Sequence, residues 1–380
     1  MRAAFVSIDD PHDFRSWSGT PFHMMRGLRD AGVETISIGP LRRPGRLPMK
    51  AVGRVHNLLS TSSYDCDREP YLLVSYARQI RRALRSAGHI DVVITPGSIA
   101  VSSLEIDIPV VIWTDATVGL MIDFYYSNLS KRALRNALVA ENSAIESAAL
   151  FVGSSEWAAA GARDVHSSAR TAVVPFGANL LGERVPDPDL RSKMNDPTKR
   201  VLLVGVDWER KGVDLAIAAV ARMRDAGVDA RLDVVGCVPP PVVRLPDFVS
   251  IYGFLSRGVP AQRALLDDLF TAASLFMLPS VAECFGAVLC EAAAYGVPAI
   301  VSKVGGTESA VLDGQTGRVL ETRTAASFAA AALAALDDDG AYEAMAHAAR
   351  QDYLERLNWN SATNRLVSEV SALGVRATAS

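Results

Sequence analysis

The sequence predicts an α/β protein made of two doubly wound, Rossmann-like domains. Short apolar runs such as Asp91–Thr95 (DVVIT), Pro109–Thr114 (PVVIWT) and Ser274–Leu278 (SLFML) read as strands buried on both faces, the mark of a parallel sheet. A strand–loop–helix–strand opening occurs at the N-terminus and again from Arg200, as two separate doubly wound sheets require. Between them, Leu181–Arg200 carries three prolines and dense charge without apolar periodicity, and reads as a linker. The domains are therefore placed at residues 1–185 and 186–358, with 359–380 as a final helical segment.

The first opening runs from strand Ala3–Ile8 through a polar loop, Asp9–Thr20, to a helix over Pro21–Asp30 with Thr20 as its expected N-cap. Val33–Ile38 is the second strand, and Gly19 is the glycine of the loop. From Leu41 to Ser60 the chain holds Arg42, Arg43, Arg46, Lys50 and Arg54 with no acid, and Arg78, Arg81, Arg82 and Arg85 form a second basic face. Such asymmetry in a chain of net charge −3 suits either an anionic surface or an ordinary solvated helix face. Asp115 follows the PVVIWT strand, at the strand end where ligands collect in such sheets; it suits a ligand contact or a turn cap. Lys131–Ala148 is helical and includes Glu141, and Ser155 is placed to cap the helix after strand Leu150–Gly153.

Composition sets outer bounds. The 380 residues, 49% hydrophobic and 21% charged, supply two cores of ordinary globular type. The charge balance argues against a general nucleic-acid binder. Cys66, Cys237, Cys284 and Cys290 form no CxxC pair and stand near no histidine cluster, so reduced thiols in a cytosolic protein are expected; the basic segments leave open either peripheral membrane contact or a solvated face. Acids come too early for a secretory signal, and no apolar run approaches membrane-spanning length.

Two stretches of the second half carry the chemistry. In Gly205-Val206-Asp207-Trp208-Glu209-Arg210-Lys211-Gly212, two cations follow a strand and precede a helix. Cations there oppose the helix dipole, so their placement favours an anionic ligand such as a diphosphate. In Leu278–Leu320, Pro279 and Ser280 end a strand, Glu283 stands in the loop, Gly286 allows close backbone approach, and Ala287–Tyr295 is a short helix containing Glu291. Strand, glycine loop and helix start make an anion site from unpaired N–H groups. Glu283 and Glu291, with seven residues between them, place one carboxylate at the phosphate side and the other about one turn deeper.

This Glu-x7-Glu stretch resembles the signature of retaining glycosyltransferases of family 4, which have the GT-B fold; the Gly-x-Asp-Trp-x-Arg-Lys-Gly arrangement is similar to that of lipopolysaccharide-core glucosyltransferases. The resemblance is strong over Val204–Leu320 and weak before Pro175. It implies two Rossmann-like domains facing a cleft, with the last helix crossing back to the first domain. It implies catalytic roles for Arg210, Lys211, Glu283 and Asp115, the last standing where relatives often have a histidine. It implies donor contacts at Gly19, Gly205, Phe254, Leu255, Cys284, Phe285, Gly286, Ala287 and Glu291, the last accepting from ribose hydroxyls. Glu308 stands one position away from the usual acid, where this chain has Ser309.

The implied reaction moves a hexose-type sugar from a nucleotide sugar, UDP by default, to an acceptor hydroxyl that is lipid-linked or part of an envelope glycan. No separate cofactor is implied, and no metal, since no DxD-type motif stands in a suitable loop. Two alternatives remain: a non-catalytic GT-B binding subunit, since fold does not fix activity, and a sugar-nucleotide epimerase.

Overall fold

The computed structural model describes residues 1–45, 67–122, 124–126, 128–181, 185, 187–241 and 244–375. The chain divides into two compact units, Met1–Pro175 with Trp359–Ser380, and Phe176–Asn358. Among the described residues no helix is long and apolar enough to cross a membrane.

Unit 1 holds a sheet of β1 (Arg2–Val6), β2 (Glu34–Ile38), β3 (Val92–Thr95), β4 (Val110–Thr114), β5 (Leu150–Gly153) and β6 (Thr171–Val173). The order is β2-β1-β3-β4-β5-β6 with every pairing parallel. Strands β3, β4 and β5 are buried at every residue, as their unbroken apolar runs predict. The strand order reverses between β1 and β3, so the carboxyl ends of those two strands open a crevice.

Around this sheet lie α1 (Thr20–Asp30), α2 (Pro70–Ala87), α3 (Lys131–Ser147) and α4 (Glu156–Val165). Ser155 caps α4, accepting from Ala158 N at 3.1 Å. Thr20, expected as a cap, is instead the first helical residue, because left-handed Gly19 takes the N-cap and Pro21 fits the first turn without an N–H to satisfy. Helix α2 buries Leu72, Leu73, Tyr76, Ala77, Ile80 and Leu84 and turns Arg78, Arg82 and Arg85 outward. Of the basic 41–60 stretch, residues 46–60 lie outside the described residues, and Arg43 is paired with Asp9 at 2.5 Å.

Unit 2 repeats the plan with β7 (Lys199–Val204), β8 (Ala230–Val235), β9 (Val249–Ile251), β10 (Leu275–Leu278), β11 (Ala299–Ser302) and β12 (Gly317–Leu320). The order is β12-β11-β10-β7-β8-β9, again all parallel, and it reverses between β7 and β10. Its helices are α5 (Leu190–Asn195), α6 (Val213–Asp225), α7 (Pro260–Ala272), α8 (Ala287–Ala294), α9 (Ala325–Leu336) and α10 (Asp339–Glu355). The last helix, α11 (Trp359–Ser371), belongs to unit 1, where the Trp359 ring stacks on His23 at 6.0 Å and meets Trp113 edge-on at 5.6 Å.

The division falls after Pro175, not at the 185/186 boundary read from the sequence. Residues beyond Pro175 are bound into unit 2: Phe176 packs edge-on to Phe285 at 5.5 Å, Ala178 N donates to Leu357 O at 3.0 Å, and Arg350 donates to Val185 O at 2.9 Å. The supposed linker also contains α5, whose Leu190 enters the unit 2 core. Prolines and charges masked a segment held by a few long-range contacts rather than by periodicity.

Candidate functional site

Arg210, Lys211 and Glu283 meet at the β7/β10 switch point. Asp207 caps the one-turn helix Trp208–Lys211 by accepting from Arg210 N at 3.0 Å, which fixes the two cations at the carboxyl end of β7. The loop after β10 is stitched to that turn: Val281 N donates to Arg210 O at 2.8 Å, and Arg210 Nη1 donates to Ala282 O at 3.1 Å. Gly212 makes the approach possible. Its φ is +71°, and a Cβ there would lie 2.2 Å from Pro279 O.

Lys211 Nζ is hydrogen-bonded to Glu283 Oε2, and their side chains are 8% and 10% exposed. Arg210 Nη1 stands 3.8 Å from the same oxygen. A buried pair of this kind is held together because separating either charge from the other is costly. Asp207 Oδ2 stands 3.6 Å from Arg210 Nε, so two carboxylates hold the two cations at the strand tips. Gly205 serves the site by leaving room: a Cβ there would meet Lys211 Cγ at 2.6 Å. Beside it Cys237 donates to Gly205 O at 2.8 Å, and burial pushes its thiol up to about 11, which makes it an unreactive filler.

Next to the trio begins α8. Its N-cap, Gly286, is left-handed and has no side chain to cap the helix; Leu289 N turns back to Gly286 O at 2.8 Å, ahead of which the N–H groups of Ala287 and Val288 lie at the amino end. The Cys284 and Phe285 side chains are buried, with Cys284 O taking Gly306 N at 3.0 Å; only backbone of this pair is offered to a ligand. Ala287 is half-buried at the helix start. Glu291, within α8, accepts from Arg257 Nη2 at 2.6 Å. Phe254 is exposed and Leu255 half-buried in the segment after β9. Glu308 lies apart from this cluster, exposed and 3.3 Å from Lys303.

The carboxyl end of α8 is also charged. Arg350 donates to Ala294 O, and Lys193 Nζ donates to Tyr295 O at 3.1 Å. Burial draws the Lys193 ammonium down to about 8. Cations at a helix carboxyl end complement its dipole, which leaves the amino end free for an anion. Neither residue, nor Arg257, was legible in the sequence, because each acts across more than thirty positions without any spacing rule.

Gly19 and Asp115 are in unit 1. Gly19 is buried, and a Cβ there would lie 2.9 Å from Phe14 O, so it serves the loop's close packing. Trp17 and Ser18 before it have φ of 46° and 54°, two successive non-glycine residues in the left-handed region. Trp17 lines a pocket at the β1/β3 switch point with Ser7, Asp9, Thr95, Pro96 and Gly97. Asp115 is half-buried at the end of β4, and the turn that follows is capped by Thr117, which accepts from Leu120 N at 3.4 Å. Glu141 is buried and takes Val118 N at 2.5 Å and Ser98 Oγ at 3.3 Å, joining the loops after β3 and β4. Burial pushes its carboxyl up to about 7. Among the described residues no group of three His, Cys, Asp or Glu side chains is placed to hold a metal ion.

Residues 198–338 match the family described as Glycosyl transferases group 1. A D-inositol 3-phosphate glycosyltransferase of Corynebacterium aurimucosum is 33% identical over 180 residues, 44% of this chain and 42% of that protein, so the chain matches about two fifths of the relative's length. The fold is shared with sucrose-phosphate synthase from Thermosynechococcus elongatus at a TM-score of 0.71 and 18% identity, covering 98% and 99% of the two chains. Anabaena HepE, solved in complex with UDP and glucose, matches at 0.64 and 16%, again over 98% and 99%. The two six-stranded parallel sheets with flanking helices place the chain in the GT-B fold class.

Proposed function

We propose that this chain, whose residues 198–338 are a glycosyl transferases group 1 segment, is a retaining family 4 glycosyltransferase that moves a hexose-type sugar from a nucleotide sugar, UDP by preference, to an acceptor hydroxyl. The observation that carries the reading is the Arg210–Lys211–Glu283 cluster beside the uncapped start of α8, at the switch point of unit 2. A strand-end crevice with two cations and a helix amino end fits a diphosphate, because it offers charge and backbone donors together.

In the proposed reaction the bond from the sugar's anomeric carbon to the diphosphate oxygen breaks, and the acceptor oxygen bonds to that carbon on the same face. The acceptor proton passes to the departing diphosphate. Arg210, Lys211 and the α8 amides meet the negative charge that grows on the leaving group, the stage at which fixed dipoles accelerate most. Glu283 holds Lys211 in place before the donor arrives and borders the sugar afterwards. Glu291 takes the ribose hydroxyls, and the Phe254-Leu255 segment borders the base. Asp115 of unit 1 is assigned to the acceptor. Because two side-chain cations already face the leaving group, transfer is expected without a divalent metal.

Titration calorimetry with UDP, GDP, ADP and TDP tests the donor site. Preference for one nucleotide, lost in Lys211→Ala, supports the reading; no binding to any of them removes it. Product anomers read by NMR test retention, and activity in EDTA tests metal independence. The exposed Arg78, Arg82 and Arg85 with Tyr71 and Val74 on α2 motivate a further proposal, a peripheral contact with anionic lipid, tested by vesicle sedimentation with and without phosphatidylserine.

A further inference from the structure

Glu291 is offered to the ribose by only half of its carboxylate. Oε2 takes Arg257 Nη2 at 2.6 Å, while Oε1 accepts no hydrogen bond among the described residues. Arg257 lies in the turn between β9 and α7, two residues after the Phe254-Leu255 segment assigned to the base. Its other nitrogen, Nη1, donates to Asp267 Oδ1 of α7 at 3.1 Å, and Asp267 Oδ1 in turn accepts from Tyr295 OH at 2.7 Å. The guanidinium also stands 6.0 Å from the Phe270 ring centre, and the Arg257 and Glu291 side chains are each 11% exposed.

The guanidinium is thus gripped from two helices, α7 and α8, and its planar fork allows both bonds at once. A carboxylate as buried as Glu291 needs such a partner to remain charged and in one rotamer. Burial works against the Arg257 charge, and the Glu291 and Asp267 carboxylates more than reverse this, so its pKa lies above the ordinary value.

We propose that Arg257 is a positioning residue for ribose recognition: by occupying Glu291 Oε2 it aims Oε1 at the sugar hydroxyls, and by anchoring the base-bordering turn to α8 it couples base and ribose binding. This rests on the donor-site reading above. It assigns to this chain a selectivity determinant that touches no ligand. A ligand lacking the ribose hydroxyl and a protein lacking Arg257 should then show the same defect, once and not twice.

The test is calorimetric affinity for whichever of UDP, GDP or ADP binds best, and for its 2′-deoxy and 3′-deoxy forms, on wild type, Arg257→Lys and Arg257→Met. Wild type should prefer the ribonucleotide about tenfold or more, the worth of a hydrogen bond to a charged group. In both variants that preference should shrink to about twofold, with Arg257→Lys retaining more of it, because a lysine keeps the charge and loses the fork. Thermal unfolding identifies variants that fold, and Arg257→Lys keeps the charge balance if Arg257→Met does not. A folded variant with undiminished ribose preference overturns the role of Arg257. Absence of nucleotide binding by wild type overturns the donor-site reading itself, and the inference with it.

Discussion

Where β1 and β3 of unit 1 part, the walls are indole, proline, isoleucine and the hydroxyls of Ser7, Ser16 and Thr95, and the carboxylate among them, Asp9, is already paired to Arg43. Where β7 and β10 of unit 2 part, an arginine, a lysine and a glutamate meet within hydrogen-bonding or ion-pair distance. Both sheets are six-stranded and parallel with one switch point, though unit 2 carries two strands beyond its first on one side where unit 1 carries one; the contrast at the crevices lies in the loops that line them. It also differs in how each site keeps its shape. Unit 2 uses charges and tight glycine approaches. Unit 1 uses a strained backbone at Trp17-Ser18 and a buried carboxyl, Glu141, that bridges two loops.

The comparison breaks most visibly at Lys211. Lys211→Ala removes a leaving-group charge and strands Glu283 in a buried place, and transfer should fall on the order of 10²–10³ in steady-state assays. If the rate holds, the charged cluster of unit 2 is structural and the two crevices differ less than they look. Gly212→Ala sharpens the same side. A methyl 2.2 Å from Pro279 O on a left-handed residue should cost about 2 kcal/mol or more in chemical denaturation.

Glu141 tests the other side. Its ordinary value of 4.5 rises to about 7 in the fold, so the folded state holds the proton more tightly than the unfolded chain does. The stability this contributes is complete below 4.5 and is lost as pH rises through 7, a change on the order of 3 kcal/mol at the upper limit. Arg68, Ser98 and the N–H groups of Val118 and Gly119 face the carboxyl and oppose that rise. Glu141→Gln should therefore gain melting temperature relative to wild type between pH 6 and pH 8, and a constant difference would remove the titration. The smallest effect is Ser155→Ala, where loss of the α4 cap should cost about 1 kcal/mol with no pH dependence.

The sheets were legible because a parallel strand covered on both faces must be almost wholly apolar, as LFML is and as VVIT and AIVS are up to a terminal hydroxyl. Glu283, Glu291, Arg210 and Lys211 were legible because motif spacing on one loop and one helix fixes them locally. The domain boundary was not, since Phe176 and Val185 are claimed by Phe285 and Arg350 over distances in sequence that no window spans. At Gly19 and Gly205 the sequence marks a glycine, while only the packing shows what stands where a Cβ would lie, Phe14 O at the first and the Lys211 side chain at the second. Arg257, Lys193 and Arg350 left no trace because an isolated cation looks the same on a solvated face as against a helix end.

The return of α11 to unit 1 bears on the order in which the molecule is made. A ribosome releases the six strands of unit 1 first, yet Trp359, against which His23 and the edge of Trp113 rest, is synthesised only after all of unit 2. Unit 2 is one continuous stretch, so it can finish folding while unit 1 still waits for its last helix. Until then the faces of α1 and β4 that receive Trp359 lack the ring that covers them in the finished fold.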